Sequence, residues 1–177
     1  MRVVLTGTPG TGKTTAAERL PYEVVHLNAV IEREGLWTER DAERDSLVVD
    51  LDGLRAWVDD TVGSTDDGDE EVVVLESHLA HLLDADRVVV LRCRPDVLEA
   101  RLRERGESAE KASENAESEA LDVILTEAVD VHGSERVYEI DTTDRSPEAV
   151  AAEVEAVVAG DRDPSAGGVD FLDYLHS

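Results

Sequence analysis

Eight residues near the start of the chain constrain its fold more than any others. Gly7-Thr8-Pro9-Gly10-Thr11-Gly12-Lys13-Thr14 match the pattern G-x-x-x-x-G-K-[ST]. A β-branched run, Arg2–Thr6, precedes them, and a helical pattern, Lys13–Leu20, follows. A strand that turns on glycines into a helix leaves backbone N–H groups pointing into one concavity, where they bind phosphate oxygens. The positive end of the following helix adds to that field. In such a loop Lys13 reaches the β- and γ-phosphates of a bound ATP and the Thr14 hydroxyl is a ligand for Mg²⁺. Gly10, Gly12 and Thr15 complete the cradle, with the Thr15 hydroxyl at the α-phosphate.

The rest of the chain alternates short apolar runs with helical patterns, which predicts an α/β fold with buried parallel strands. The strands are expected at Arg2–Thr6, Tyr22–Leu27, Val72–Leu75, Arg87–Leu91 and Arg136–Ile140. The helices are expected at Lys13–Leu20, Ala29–Glu34, Leu51–Val62, Pro95–Arg105, Ser113–Val131 and Pro147–Ala159. Pro95 and Pro147 suit a first helical turn, and Ser146 is a good N-cap. Ala116, Ala120, Ile124 and Ala128 recur every four residues and predict one apolar stripe against the sheet. Gly63–Asp69 and Gly106–Ala112 read as polar connections and Asp161–Gly168 as a flexible linker. One domain over residues 1–160 and a flexible C-terminal tail over 161–177 are expected.

Charge excludes several functions. With 17 Lys+Arg against 42 Asp+Glu, the net charge is −25. No basic face is available for non-specific nucleic-acid binding. The apolar fraction, 41%, is that of a folded protein, so the acidity does not signal disorder. Lys13 and Lys111 are the only lysines. An acidic, lysine-poor chain suits molar salt, where a Debye length of ~3 Å screens self-repulsion. No run approaches a membrane span, and MRVVLTG reads as a strand rather than a signal peptide, so a cytoplasmic protein without membrane contact is expected. Cys93 is the sole cysteine, which rules out an intrachain disulfide.

A phosphate loop leaves the reaction open. The N-K-x-D guanine motif needs a lysine, and neither lysine lies in one, so a GTPase is not expected. Arg101 and Arg105, at the end of a helix before a polar break, suit a flap that closes over transferring phosphates. Arg103 reads as solvated, and Arg92 and Arg94 as further positive charge. The third strand ends in Glu76-Ser77-His78: an acid placed to hold Mg²⁺ through water, then a histidine able to orient or deprotonate an attacking water.

These residues form an ordered series that resembles the adenylate kinase isoenzyme six (CINAP-type) family. The series comprises GTPGTGKTT (Gly7–Thr15), HLN (His26–Asn28), RDSLVVDLD (Arg44–Asp52), Glu76-Ser77-His78, VLR (Val90–Arg92), RLRERG (Arg101–Gly106) and EKxxxNxxxE (Glu110–Glu119). The resemblance implies a P-loop NMP-kinase fold with a five-stranded parallel sheet, an NMP-binding region at about 28–51 and a short lid at about 104–114. It implies ATP on Gly10, Gly12, Lys13, Thr14, Thr15 and Arg105, with Thr14 and Glu76 serving Mg²⁺ and Lys13, Arg105, Glu76 and His78 in catalysis. It further implies phosphoryl transfer to AMP or another NMP, ATPase activity, and a role in small ribosomal subunit (16S rRNA) maturation through small-subunit ribosomal protein eleven and the subunit precursor. The acidic composition fits an archaeal, haloarchaeal member. Glu76 departs from the family's usual aspartate, and Arg33 is the nearest candidate for an AMP-binding arginine. The alternatives are an ATPase assembly factor that releases a ribosomal protein and a small-molecule P-loop kinase of the shikimate or gluconate type.

Overall fold

The structure, a computed structural model, describes residues 1–42, 46–62 and 71–176. The loop expected at Gly63–Asp69, and Arg44 and Asp45 of the RDSLVVDLD motif, lie outside the described residues. Five parallel strands form the main sheet: β1 (Arg2–Thr6), β2 (Glu23–His26), β5 (Val73–Glu76), β6 (Arg87–Arg92) and β7 (Val137–Asp141), in the order β2-β5-β1-β6-β7. Period-two alternation on β1 sends Val4 to one face and Val3 and Leu5 to the other. Helices α2 (Leu27–Glu34), α3 (Leu51–Val62) and α6 (Val123–His132) cover the first face with Leu27, Leu54 and Ile124. Helices α1 (Lys13–Ala17) and α7 (Pro147–Ala159) cover the second with Ala16, Val150 and Val154. A third cluster joins α4 (Pro95–Glu104) to α5 (Ala109–Ala120) through Leu98, Leu102, Ala112 and Ala116.

Several elements differ from expectation. The single helix expected over Ser113–Val131 is two, because Asp122 takes a left-handed conformation (φ 56°, ψ 34°) between α5 and α6. The stripe survives the break: Ala116, Ala120, Ile124 and Ala128 are all buried. The break expected over Gly106–Ala112 shrinks to a tight turn, since Ser108 caps α5 by accepting the Lys111 N–H at 3.1 Å. The segment after α2 holds an unexpected antiparallel hairpin, β3 (Trp37–Asp41) with β4 (Ser46–Val49). Its first strand is solvent-facing nearly throughout, so no alternation marks it in the sequence.

Residues 165–176 dock on the domain. Gly167 N and Gly168 N donate to Glu139 Oε1 at 2.5 and 3.0 Å. The Phe171 ring lies over the Arg92 guanidinium at 5.5 Å, and the Tyr174 hydroxyl donates to Glu99 at 3.0 Å.

Candidate active site

β1 lies between β5 and β6: the chain leaves it toward β2 on one side and later crosses from β5 to β6 on the other, and this reversal opens a crevice at the carboxyl ends of the strands. The glycine loop fills that crevice. Gly7, Gly10 and Gly12 have φ of 151°, 97° and 95°. A Cβ on Gly10 would meet Leu102 Cγ at 3.0 Å, so only glycine lets the loop settle on α4 without displacing Leu102. The turn closes through Thr11 N and Thr11 Oγ1, both donating to Thr8 O at 3.2 and 2.8 Å. Helix α1, expected to Leu20, ends at Ala17 and tightens into i→i+3 bonds. A helix this short contributes little dipole, which leaves the loop amides and Lys13 as the main source of positive field.

Lys13 is buried, and its Nζ donates to Gly7 O at 2.9 Å and Thr8 O at 3.2 Å. Burial lowers its pKa to about 8; Glu76 and Glu119 oppose that shift and Arg105 adds to it. These charges therefore converge on one ammonium group. Glu76, 6% exposed at the end of β5, is paired with His26 at the end of β2, Oε2 to Nδ1 being 2.8 Å. His78 is held down to a pKa of about 4 by burial and then by Lys13, His81 and Lys111. It is a neutral imidazole near pH 7, able to accept a hydrogen bond from water. His81 points elsewhere, with Nδ1 against Thr6 Oγ1 at 2.8 Å and Nε2 against Glu127 at 3.3 Å.

On the other side of the loop lies a cleft of about 430 Å³ lined by Gly10, Gly12, Thr15, Arg101, Arg105, Thr142 and Arg145. Arg105 is exposed there at the C-terminus of α4. Arg101 donates to the carbonyls of Gly10 at 3.3 Å and Thr142 at 3.3 Å, joining the phosphate loop to the loop after β7. Thr142 reinforces that joint by donating to Thr11 O at 2.9 Å. The sequence reading missed Thr142 and Arg145, whose only signal is a polar stretch directly after a buried strand.

Gly10, Gly12, Lys13, Thr14, Thr15 and Arg105 thus come together around one loop, with Glu76 and His78 close enough to act on Lys13 or to feel its charge. Arg92 and Arg94 do not join them. Arg92 is fully buried against Glu119, Glu139 and Asp122, and Arg94 is exposed beside Asp96. Arg103 is exposed on α4, and Arg33 is exposed on α2 beside Glu34 at 3.2 Å. Among the described residues around the loop, the exposed Thr14 hydroxyl and the Glu76 carboxylate are oxygen donors of the kind a divalent cation takes. Hard oxygens of this kind would suit Mg²⁺, a cation that keeps several waters and needs few protein ligands.

A family model described as an AAA domain matches residues 3–122. A protein named "Putative adenylate kinase" from Natronomonas pharaonis is 59% identical over 177 residues, covering 99% of this chain and 100% of its own length. One of the same name from Halobacterium salinarum is 57% identical over 178 residues, covering 99% and 100%. A third, from Methanosarcina acetivorans, is 43% identical over 163 residues, covering 89% and 86%. Among solved structures, shikimate kinase from Bacteroides thetaiotaomicron superimposes with a TM-score of 0.57 at 20% identity, covering 90% of this chain and 98% of its own. That likeness is one of fold and carries no substrate.

Proposed function

The chain belongs to the archaeal AAA-domain family whose haloarchaeal members, at 57–59% identity, are named "Putative adenylate kinase", and on that premise we propose that it transfers the γ-phosphoryl group of ATP to AMP or another nucleoside monophosphate. One observation carries the reading. A glycine loop with a buried ammonium group lies at the switch point of the sheet, beside a cleft lined by Arg101 and Arg105. The loop amides and Lys13 bind the β- and γ-phosphates, and Arg105 neutralises charge on the group in transit. Thr14 and, through water, Glu76 would hold Mg²⁺, which when bound neutralises charge on the phosphates. The acceptor oxygen attacks the γ-phosphorus as the β–γ bridging bond breaks, giving ADP and the nucleoside diphosphate. Positioning and charge stabilisation account for the rate, so no covalent intermediate is needed.

A second reading, that of the isoenzyme six type, adds ATP hydrolysis and assistance to small-subunit maturation through ribosomal protein eleven in the cytoplasm. It rests on the motif series and is supported by the neutral His78 beside Lys13, suited to orient water. A basic ribosomal protein would also find a complementary surface on a chain of net charge −25. Nucleotide turnover in molar KCl with each monophosphate in turn, and with none, tests both. Turnover that needs a monophosphate supports the kinase, and turnover with none supports the ATPase. No turnover under any condition contradicts both.

A further inference from the structure

Glu119 is a carboxylate buried beneath an anion-binding loop, an unfavourable place unless it has work there. Its Oε2 accepts from Cys93 N at 2.8 Å, and its Oε1 accepts from Arg92 Nε at 3.3 Å and from Thr8 Oγ1 at 3.1 Å. The first two bonds fix Glu119 to the end of β6 and the residue after it. Arg92 is itself immobilised by Glu139 at 2.7 Å, Asp122 at 2.5 Å and the Glu119 carbonyl at 3.0 Å. The third bond reaches out of this hub into the phosphate loop. Thr8 is the residue whose carbonyl accepts Thr11 N, Thr11 Oγ1 and Lys13 Nζ, so the orientation of its peptide sets both the closure of the turn and the resting place of the ammonium group. Glu119 also lies in the last turn of α5, which packs along α4, the helix that carries Arg101 and Arg105.

We propose that Glu119 is a positioning residue for the phosphate loop: clamped by Arg92 and Cys93 N, it holds the Thr8 hydroxyl so that the loop and the arginine-bearing helical hairpin keep one fixed relation around the triphosphate. The inference rests on the nucleotide reading above and adds to it a residue that touches neither substrate nor metal. It also explains a buried charge that packing alone would replace with an apolar side chain. Thr8 reaches Glu119 only as a donor, because an ionised carboxylate accepts and cannot donate.

The test compares Mg·ATP binding by calorimetry in molar KCl for the wild type, T8S, T8V, E119Q and the T8V/E119Q double variant, with KM for ATP and kcat measured alongside. T8S keeps the hydroxyl and is expected to bind within about twofold of wild type. T8V and E119Q are each expected to weaken ATP binding and raise its KM roughly tenfold, the scale of one hydrogen bond to a charged group. If the two residues act as one unit, the double variant stays within about twofold of the weaker single variant. T8V binding as wild type does, or losses that multiply toward about 100-fold in the double variant, would overturn the inference. Should E119Q fail to fold, the contrast between T8S and T8V decides alone. A wild-type protein that takes up no ATP is a different result: it overturns the nucleotide reading, and this inference falls with it.

Discussion

Nζ of Lys13 lies 2.9 Å from the carbonyl oxygen of Gly7, so the ammonium group of the loop is bonded to the loop's own backbone. Those carbonyls are weak substitutes for water or phosphate, and burial holds the pKa down to about 8. The site therefore keeps a charge that folding alone does not favour, and a triphosphate would relieve its cost. Several consequences can be measured.

Replacing Lys13 with methionine should stabilise the ligand-free protein while removing its nucleotide binding. The folded pKa is depressed below the unfolded 10.5, so charged Lys13 costs stability. That cost is fully present below pH 8 and fades as pH rises from about 8 to 10.5. The gain expected near pH 7 is ~1–3 kcal/mol, below the full value of the shift because the methionine also forfeits two hydrogen bonds. Thermal melts at pH 7 and pH 10 check it: Lys13→Met should melt higher at pH 7, with the gap closing at pH 10.

The same lysine should make ATP binding take up a proton. Near pH 8.5 much of Lys13 is neutral, and a triphosphate favours its charged form. Calorimetry in two buffers of different ionisation enthalpy should report a fractional proton uptake at pH 8.5 beyond that seen at pH 6.5. Equal heats in both buffers at pH 8.5 would contradict the assignment of Lys13 to the phosphates.

His78 is neutral at pH 7 because burial and the neighbouring cations hold its pKa near 4. Hydrolysis of ATP that uses it as a water-orienting base should not lose this group on acidification until pH approaches 4. His78→Ala should lower phosphate release by ~10²-fold while ATP affinity changes little. An unchanged release rate would remove His78 from the hydrolytic reading.

Arg92 serves stability rather than phosphate binding. Its side chain is 1% exposed and contacts three carboxylates. Arg92→Met should therefore leave Glu119 and Glu139 buried without a cation and destabilise the fold by ~3–5 kcal/mol. Denaturant unfolding measures this directly. A loss below about 1 kcal/mol would mean that water replaces the guanidinium.

Where local chemistry sets an element, the sequence carries it plainly. β1 and the glycine loop follow from a β-branched run that meets residues able to take positive φ, and α7 from Ser146 and Pro147 at its start. The parallel character of the main sheet follows from alternating strand and helix patterns, whereas the strand order is set by the crossovers and not by the pattern. Tertiary partners decide the rest. Nothing in the Ala109–His132 pattern announces that Asp122 will turn left-handed, since its partner Arg92 lies 30 residues away. β3, the first strand of the hairpin, is charged and faces solvent nearly throughout, so it lacks the alternation that marks a half-buried strand. Arg92 and Arg101 illustrate the same limit. Both arginines read as positive charge for the site, yet they part company because one ends a buried strand and the other faces the loop from a helix.

Titration of Mg·ATP into the wild-type and Lys13→Met proteins in molar KCl tests the main claim most directly. One saturable site is expected in the wild type, with binding weakened by at least ~100-fold in the variant, the scale expected on removing a buried charged partner. Wild-type protein that takes up no ATP, or a variant that binds as well as wild type, would contradict it.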